Sequence, residues 1–280
     1  ILENKAVLAV KSKSMVTEEI GFNDFAAQNG LRAVETDLGE FIVQIAGEKP
    51  YHILTPAMHK SKEDVAALFH SEFHLPEHSS PSEIAAFVRK YLRKIFADAD
   101  IGVTGANFLV ADIGGIGLTE NEGNGCMTVS FPRIHLVIAG MERILPSVSQ
   151  LPFFFQWLGV HGTGQNISAY NSLILGPSTP SEIDGPGKMF VILLDNRRSR
   201  MLAEEEFKAA LKCIRCGACL SACPIYTNAT PPGASLRFAT RLVRAVQRHS
   251  HDSLWPTRRA PSSRTRHRCA RTPARAPSRA

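Results

Sequence analysis

Ile134-His-Leu-Val-Ile-Ala139 decides the class of fold. It is apolar almost without a break, the pattern of a strand covered on both faces in a parallel sheet. Met189-Phe-Val-Ile-Leu-Leu194 repeats it further along, and Ala6–Val10, Leu31–Glu35 and His52–Leu54 are shorter strand candidates. Amphipathic stretches lie between these runs. In Pro81–Phe96, residues Ile84, Phe87, Val88, Tyr91, Leu92 and Ile95 recur at the three- and four-residue steps of a helix. Ser80 stands as its N-cap, Pro81 takes the first helical position, and Glu83 completes a capping box. A second helix spans Lys62–Phe73 behind Ser61 and Asp64. A third covers Thr17–Gln28 and closes at Asn29-Gly30, and a last one spans Leu202–Lys212. Strands alternating with helices up to about residue 200 predict an α/β fold with a largely parallel sheet.

The 280 residues are 44% hydrophobic and 21% charged, an ordinary globular balance. The longest apolar stretches, Leu151–Val160 and Phe190–Leu194, fall short of the roughly 20 residues of a membrane helix, so no membrane span is expected. The net charge of +6 is unevenly placed: residues 1–236 hold 20 Lys and Arg against 25 acids, whereas residues 237–280 hold 12 Arg against Asp252 alone. This Arg-rich tail, set among Ala, Pro, Ser and Thr, has the composition of a non-native or frameshifted extension. A solvated basic tail is the plain alternative. Trp255 is its only aromatic after Phe238, which leaves little for base stacking, so no nucleic-acid partner is expected. The chain opens at Ile1 with no visible signal peptide, and a cytoplasmic location is expected.

Gly105–Gly125 is rich in glycine between short apolar runs, which requires tight turns and a close backbone approach. Gly114, Gly115 and Gly117 lack the dinucleotide-binding spacing, and no amphipathic helix is expected after them. Two readings stay open: turns that join neighbouring strands, or backbone brought close to a ligand. In the second, Asp112, Glu122, His161, Thr163 and Gln165 are the candidate polar groups. In the first, Asp112 caps a turn, Glu122 is a solvated loop charge and His161 satisfies a carbonyl. His135, inside an apolar strand, is expected to be a packed core histidine.

The strongest chemical signal is Cys213-Ile-Arg-Cys216-Gly-Ala-Cys219-Leu-Ser-Ala-Cys223-Pro224. CxxCxxCxxxCP is the spacing of a bacterial-type iron–sulfur run, in which thiolates at steps of three wrap one cubic cluster. Gly217 permits the torsions of such a loop, and Pro224 redirects the chain after the last sulfur. Ile214, Leu220 and Ile225 would shield the cluster, and Arg215 sets positive charge beside it. Structural zinc prefers two CxxC pairs on a longer loop, and disulfides need an oxidising compartment. Cys126 and Cys269 are bystanders. Cys223 either closes a single cluster or ligates a second one.

Taken in order, Lys11–Ile20, Thr104–Gly125, Gly162-Thr-Gly-Gln165, Asp184-Gly-Pro186, Leu193-Leu-Asp-Asn-Arg197 and the cysteine run resemble the lactate utilization protein B family. Its members are iron–sulfur subunits of bacterial L-lactate oxidation complexes, and the resemblance covers about residues 1–227. It implies an LUD domain over residues 1–200, with a fold similar to the NagB/RpiA/CoA-transferase group. It further implies a short, incomplete α-helical ferredoxin-type module over residues 201–236, with the tail beginning at 237. By the same likeness Cys213, Cys216 and Cys219 hold one 4Fe-4S cluster, and Cys223 serves a second whose other ligands lie further downstream in the family. The implied partners are other subunits of a lactate utilization complex, with a peripheral link to the respiratory chain. The chain itself is then an electron-transfer component and not the catalyst. The alternative is a small-molecule-binding or acyl/sugar-phosphate-type enzyme domain whose cluster is structural or regulatory.

Overall fold

The computed structural model describes residues 4–224. The expectations for Ile225, Cys269 and the Arg-rich tail fall outside the described residues. Strands β1 (Leu8–Lys11), β2 (Arg32–Glu35), β3 (Ile101–Thr104), β6 (Ile134–Gly140) and β9 (Lys188–Leu194) form a five-stranded sheet in the order β2-β1-β3-β6-β9, parallel throughout. A second sheet, which the sequence did not suggest, joins β4 (Phe108–Val110), β5 (Gly115–Glu120), β7 (Ile144–Leu145) and β8 (Tyr170–Ile174) in the order β7-β4-β5-β8. The glycine-rich segment supplies its central hairpin. Gly114 makes the turn at φ +64°, and Gly117 lies so close to Leu151 and Phe155 that a β-carbon would collide with them. A seven-residue helix, Asn124–Ser130, does follow the glycines.

Helices cover both faces of the inner strands of the parallel sheet. On one face α3 (Leu38–Ile45), α4 (Lys62–Phe73) and α5 (Pro81–Asp98) bury Phe41, Phe69, Ile84, Val88, Leu92 and Ile95 against Val10 and Val34. On the other, α1 (Met15–Glu19) and α2 (Phe22–Gln28) pack Val16, Phe22 and Ala26 against Ala9, Ile101 and Val103. Both expected capping boxes form: Ser61 with Asp64, and Ser80 with Glu83. The helix expected over Thr17–Gln28 is two helices, because Gly21 turns the chain at φ +63°.

Three further expectations need correction. His52–Leu54 is a bend and not a strand, since the His52 Nδ1 accepts hydrogen bonds from the Leu54 and Thr55 amides and curls the chain on itself. Leu202–Lys212 is broken: α8 (Arg198–Ala203) ends where Glu204 turns extended, then α9 (Glu205–Lys208) and a 3₁₀ turn over Ala209–Lys212 follow. Met189–Leu194 is a strand, but β9 is an edge strand and Phe190, Val191, Ile192 and Leu193 are about half exposed. β6 is the interior strand that its apolar run implied. There His135 is fully buried, its Nε2 lies 2.8 Å from the Thr104 hydroxyl, and burial pushes its pKa down to about 4.

Charge is also buried where β1 and β2 end. The Lys11 ammonium lies 2.6 Å from the Glu35 carboxylate and 3.4 Å from Glu18. Burial opposes its charge, but these acids hold its pKa above the ordinary lysine value. Nearby Glu40 is buried among Glu35, Glu18 and Asp37, and its pKa is pushed up to about 8, chiefly by burial and then by the Glu35 charge.

Two measurements check this account. A β-carbon on Gly102 would lie 1.8 Å from the Thr128 carbonyl oxygen, so Gly102→Ala is expected to lose at least about 3 kcal/mol in urea unfolding. Gly30→Ala, with open space but φ +74°, is expected to cost only about 1 kcal/mol. Glu40 keeps its proton in the folded chain between its ordinary value and about 8, while the unfolded chain has lost it. Stability therefore falls as pH rises through that window, with a slope of up to about 1.4 kcal/mol per pH unit. Glu40→Gln is expected to flatten that slope, and an unchanged slope would refute the assignment.

Candidate functional site

The parallel strands end around a cavity of about 350 Å³. Ser12 and Lys13 follow β1, Asp37 follows β2, Gly105 and Asn107 follow β3, and Arg143 follows β6. The chain leaves β1 to form β2 on one side, while β3 lies on the other. Ligands in open parallel sheets occupy such a reversal point, beyond the carboxyl ends of the strands. Thr119, Glu120 and Glu122 come from the end of β5 and the loop after it, Gly162 and Thr163 from the end of α7 (Leu151–Thr163). The start of the cysteine run, Ile214, Arg215 and Cys216, forms another part of the wall.

Each acid on the wall already has donors. Asp37 accepts from the Glu40 amide at 3.0 Å as the N-cap of α3, and from the Lys13 ammonium at 3.3 Å. Glu120 accepts from the Gly125 and Cys126 amides at 2.6 and 2.7 Å, at the start of α6 (Asn124–Ser130). Glu122 accepts from the Leu38 amide, and its pKa is raised by burial and by the Asp37 charge.

The cations are less evenly satisfied. Arg198 of α8 is buried and donates to both oxygens of Glu19, at 3.0 and 2.8 Å, and to Glu142. Arg215 reaches the same acids, with Nη2 3.3 Å from Glu142 and 3.7 Å from Glu19, while its Nη1 is buried without a partner. Thus three arginines, Arg143, Arg198 and Arg215, face two acids. Arg143 is only 6% exposed and, among the described residues, its guanidinium makes no hydrogen bond; the nearest carboxylate oxygen, on Glu142, is 3.9 Å away. Burial, and then the Arg215 charge, push its pKa down to about 10, so it remains a cation at neutral pH.

The cysteine loop is seated by these contacts. Arg215 at φ +61° and Gly217 at φ +75° turn it in the left-handed region, and the Arg215 amide donates to the Cys213 sulfur at 3.4 Å. Cys219 begins to wind into α10 (Ala218–Ser221), and its thiol pKa is raised by burial and then by the neighbouring Cys213 and Cys216. Among the described residues no group of three or more His, Cys, Asp and Glu stands at metal-ligating distance. Cys126 stands apart, with its sulfur 3.4 Å from the Ser172 hydroxyl.

Of the ligand candidates read from sequence, Glu122 and Thr163 line the cavity. Gln165 lies one step behind, its Oε1 accepting from Thr163 and Asn121. Asp112 is at the far end of the hairpin and accepts from the Val148 amide. His161 is exposed on α7 against Trp157, with ring centroids 5.9 Å apart. Lys13, Asn107 and Arg143 were not singled out, although each lies within about three residues of the carboxyl end of a strand of the parallel sheet, the position that would have marked them.

Among the described residues no helix is long and apolar enough to cross a membrane. The chain is 41% identical over 229 residues to lactate utilization protein B of Bacillus velezensis, covering 81% of this chain and 48% of that protein. To lactate utilization protein B of Bacillus subtilis it is 43% identical over 220 residues, covering 78% of this chain and 46% of that one. To the uncharacterized electron transport protein YkgF of Escherichia coli it is 40% identical over 219 residues, with coverages of 78% and 46%. The chain therefore spans about half the length of the curated relatives it matches. Among solved structures, a DUF162 family protein from Deinococcus radiodurans aligns with a TM-score of 0.29 at 12% identity, over 69% of this chain and 90% of that one. The LUD domain itself is matched over residues 3–194, and the chain belongs to the LUD domain family.

Proposed function

We propose that this chain is an iron–sulfur electron-transfer component of a lactate utilization system. The observation that carries the proposal is the cysteine run, whose first turn is bound to the LUD domain through Arg215 and forms one wall of its cavity. The donor set has the chemistry of a 4Fe-4S site: four thiols within eleven residues, an amide aimed at Cys213, and left-handed turns at Arg215 and Gly217 that curl the chain around the sulfurs. Cys213, Cys216 and Cys219 would hold one cluster, and Cys223 would complete it or serve a second. When bound, such a cluster would supply single-electron transfer with no proton moved by the chain. Relatives named for lactate utilization and electron transport support the same reading, with other subunits of the system as partners and residues 201–236 as the start of a ferredoxin-type module. In this reading the LUD domain shares the fold of the NagB/RpiA/CoA-transferase group.

The protein's own contribution is electrostatic. Arg215 and Arg143 place positive charge beside the sulfurs and favour the reduced, more negative state. The chain purified without oxygen is expected to be brown, with iron and acid-labile sulfide near about four per cluster. Cys216→Ser is expected to lose the visible absorption. Arg215→Ala is expected to lower the reduction potential, and Arg215→Lys to recover part of it. Colourless, iron-poor protein, or protein with stoichiometric zinc, would overturn the proposal.

A further inference from the structure

We propose that the cavity beside the cysteine loop binds the carboxylate of a small organic acid, and that Arg143 is the group that holds it. This goes beyond electron transfer and does not depend on it, because the ligand pairs with a guanidinium and not with iron.

A cation taken out of water is costly unless it is paired and hydrogen-bonded. Arg198 satisfies that rule with Glu19 and Glu142, whereas Arg143, the more deeply packed of the two arginines on the cavity wall, has only a long ion pair to Glu142 at 3.9 Å and, among the described residues, no hydrogen bond. Arg215, close enough to depress the Arg143 pKa, leaves its buried Nη1 unused as well. Two like charges with free donors on one wall are the arrangement that an anion relieves. The planar guanidinium fork matches a carboxylate with two parallel hydrogen bonds.

The charges of the lining select the anion. It holds Lys13, Arg143 and Arg215 together with Asp37, Glu120 and Glu122, so a phosphate dianion meets more repulsion from these acids than a monoanion does. The wall acids do not compete for Arg143, since Asp37 and Glu120 are held by amides and by Lys13, and Glu122 by the Leu38 amide. Asn107 and Thr119 add polar side chains on the wall, with Asn107 already engaged by the Thr119 amide at 2.9 Å. The volume of about 350 Å³ is within the range of small-molecule sites.

The test is calorimetric titration of the full 280-residue chain with L-lactate, and separately with inorganic phosphate, with iron content measured on every sample. One lactate per chain is expected to bind saturably, phosphate more weakly. Arg143→Gln is expected to weaken lactate at least about tenfold with iron content unchanged, and Arg143→Lys to fall between. Without ligand, Arg143→Gln is expected to melt no lower than the parent, because it removes a buried charge that has no hydrogen bond among the described residues, and lactate is expected to raise the melting temperature of the parent alone. Absence of saturable lactate binding, equal affinity in Arg143→Gln or Arg143→Lys, or tighter binding of phosphate would overturn the assignment. So would a variant that unfolds for want of Arg143, which would make the residue a structural cation. Iron-free protein that still binds lactate would refute the cluster and leave this site standing.

Discussion

Glu19 and Glu142 are buried, and neither would tolerate that without the guanidinium of Arg198 between them. This one arrangement ties together parts of the chain that are far apart in sequence. Glu19 ends α1, Glu142 follows the interior strand β6, and Arg198 opens α8. Arg215 then enters the same pair of acids from the cysteine loop. The loop is therefore attached to the parallel sheet by charge and not by apolar packing alone. Breaking one partner would strand the others, which makes the cluster the constraint on which the placement of the sulfurs rests.

What the sequence made legible was local. Ser61 with Asp64 and Ser80 with Glu83 mark the starts of α4 and α5 because a capping box is closed within four residues. The run at Ile134 gave β6 for a similar reason, since every residue of a strand buried on both faces is apolar. The same rule misplaced β9, whose apolar side chains lie at a sheet edge where composition does not register exposure. Gly21 and Glu204 interrupt helices through backbone torsions that periodicity does not record.

The candidate site was legible only in part, and geometry explains which part. His161 and Thr163 are two positions apart on α7, so they cannot share a helix face, and only Thr163 meets the cavity. Asp112 and Glu122 are separated by the six residues of β5, about 20 Å of strand, which sets them at opposite ends of the hairpin. Arg143 has no motif around it. Its meaning comes from the strand that precedes it and from a guanidinium that, among the described residues, makes no hydrogen bond although Glu142 lies 3.9 Å away, and both are facts of tertiary structure.

The near-contact of Gly102 with Thr128 also governs how the cavity can move. It presses the backbone of α6 onto β3, while Thr128 donates to the Asn124 carbonyl and Asn124 to Thr36. Asn124 and Gly125, which form part of the floor, are thus braced from beneath and have little freedom left to surrender when a guest arrives. The wall that carries the sulfurs is held differently, by Arg215 on Glu19 and Glu142 and by Ile214 packed against the cluster of Phe108 and Phe155.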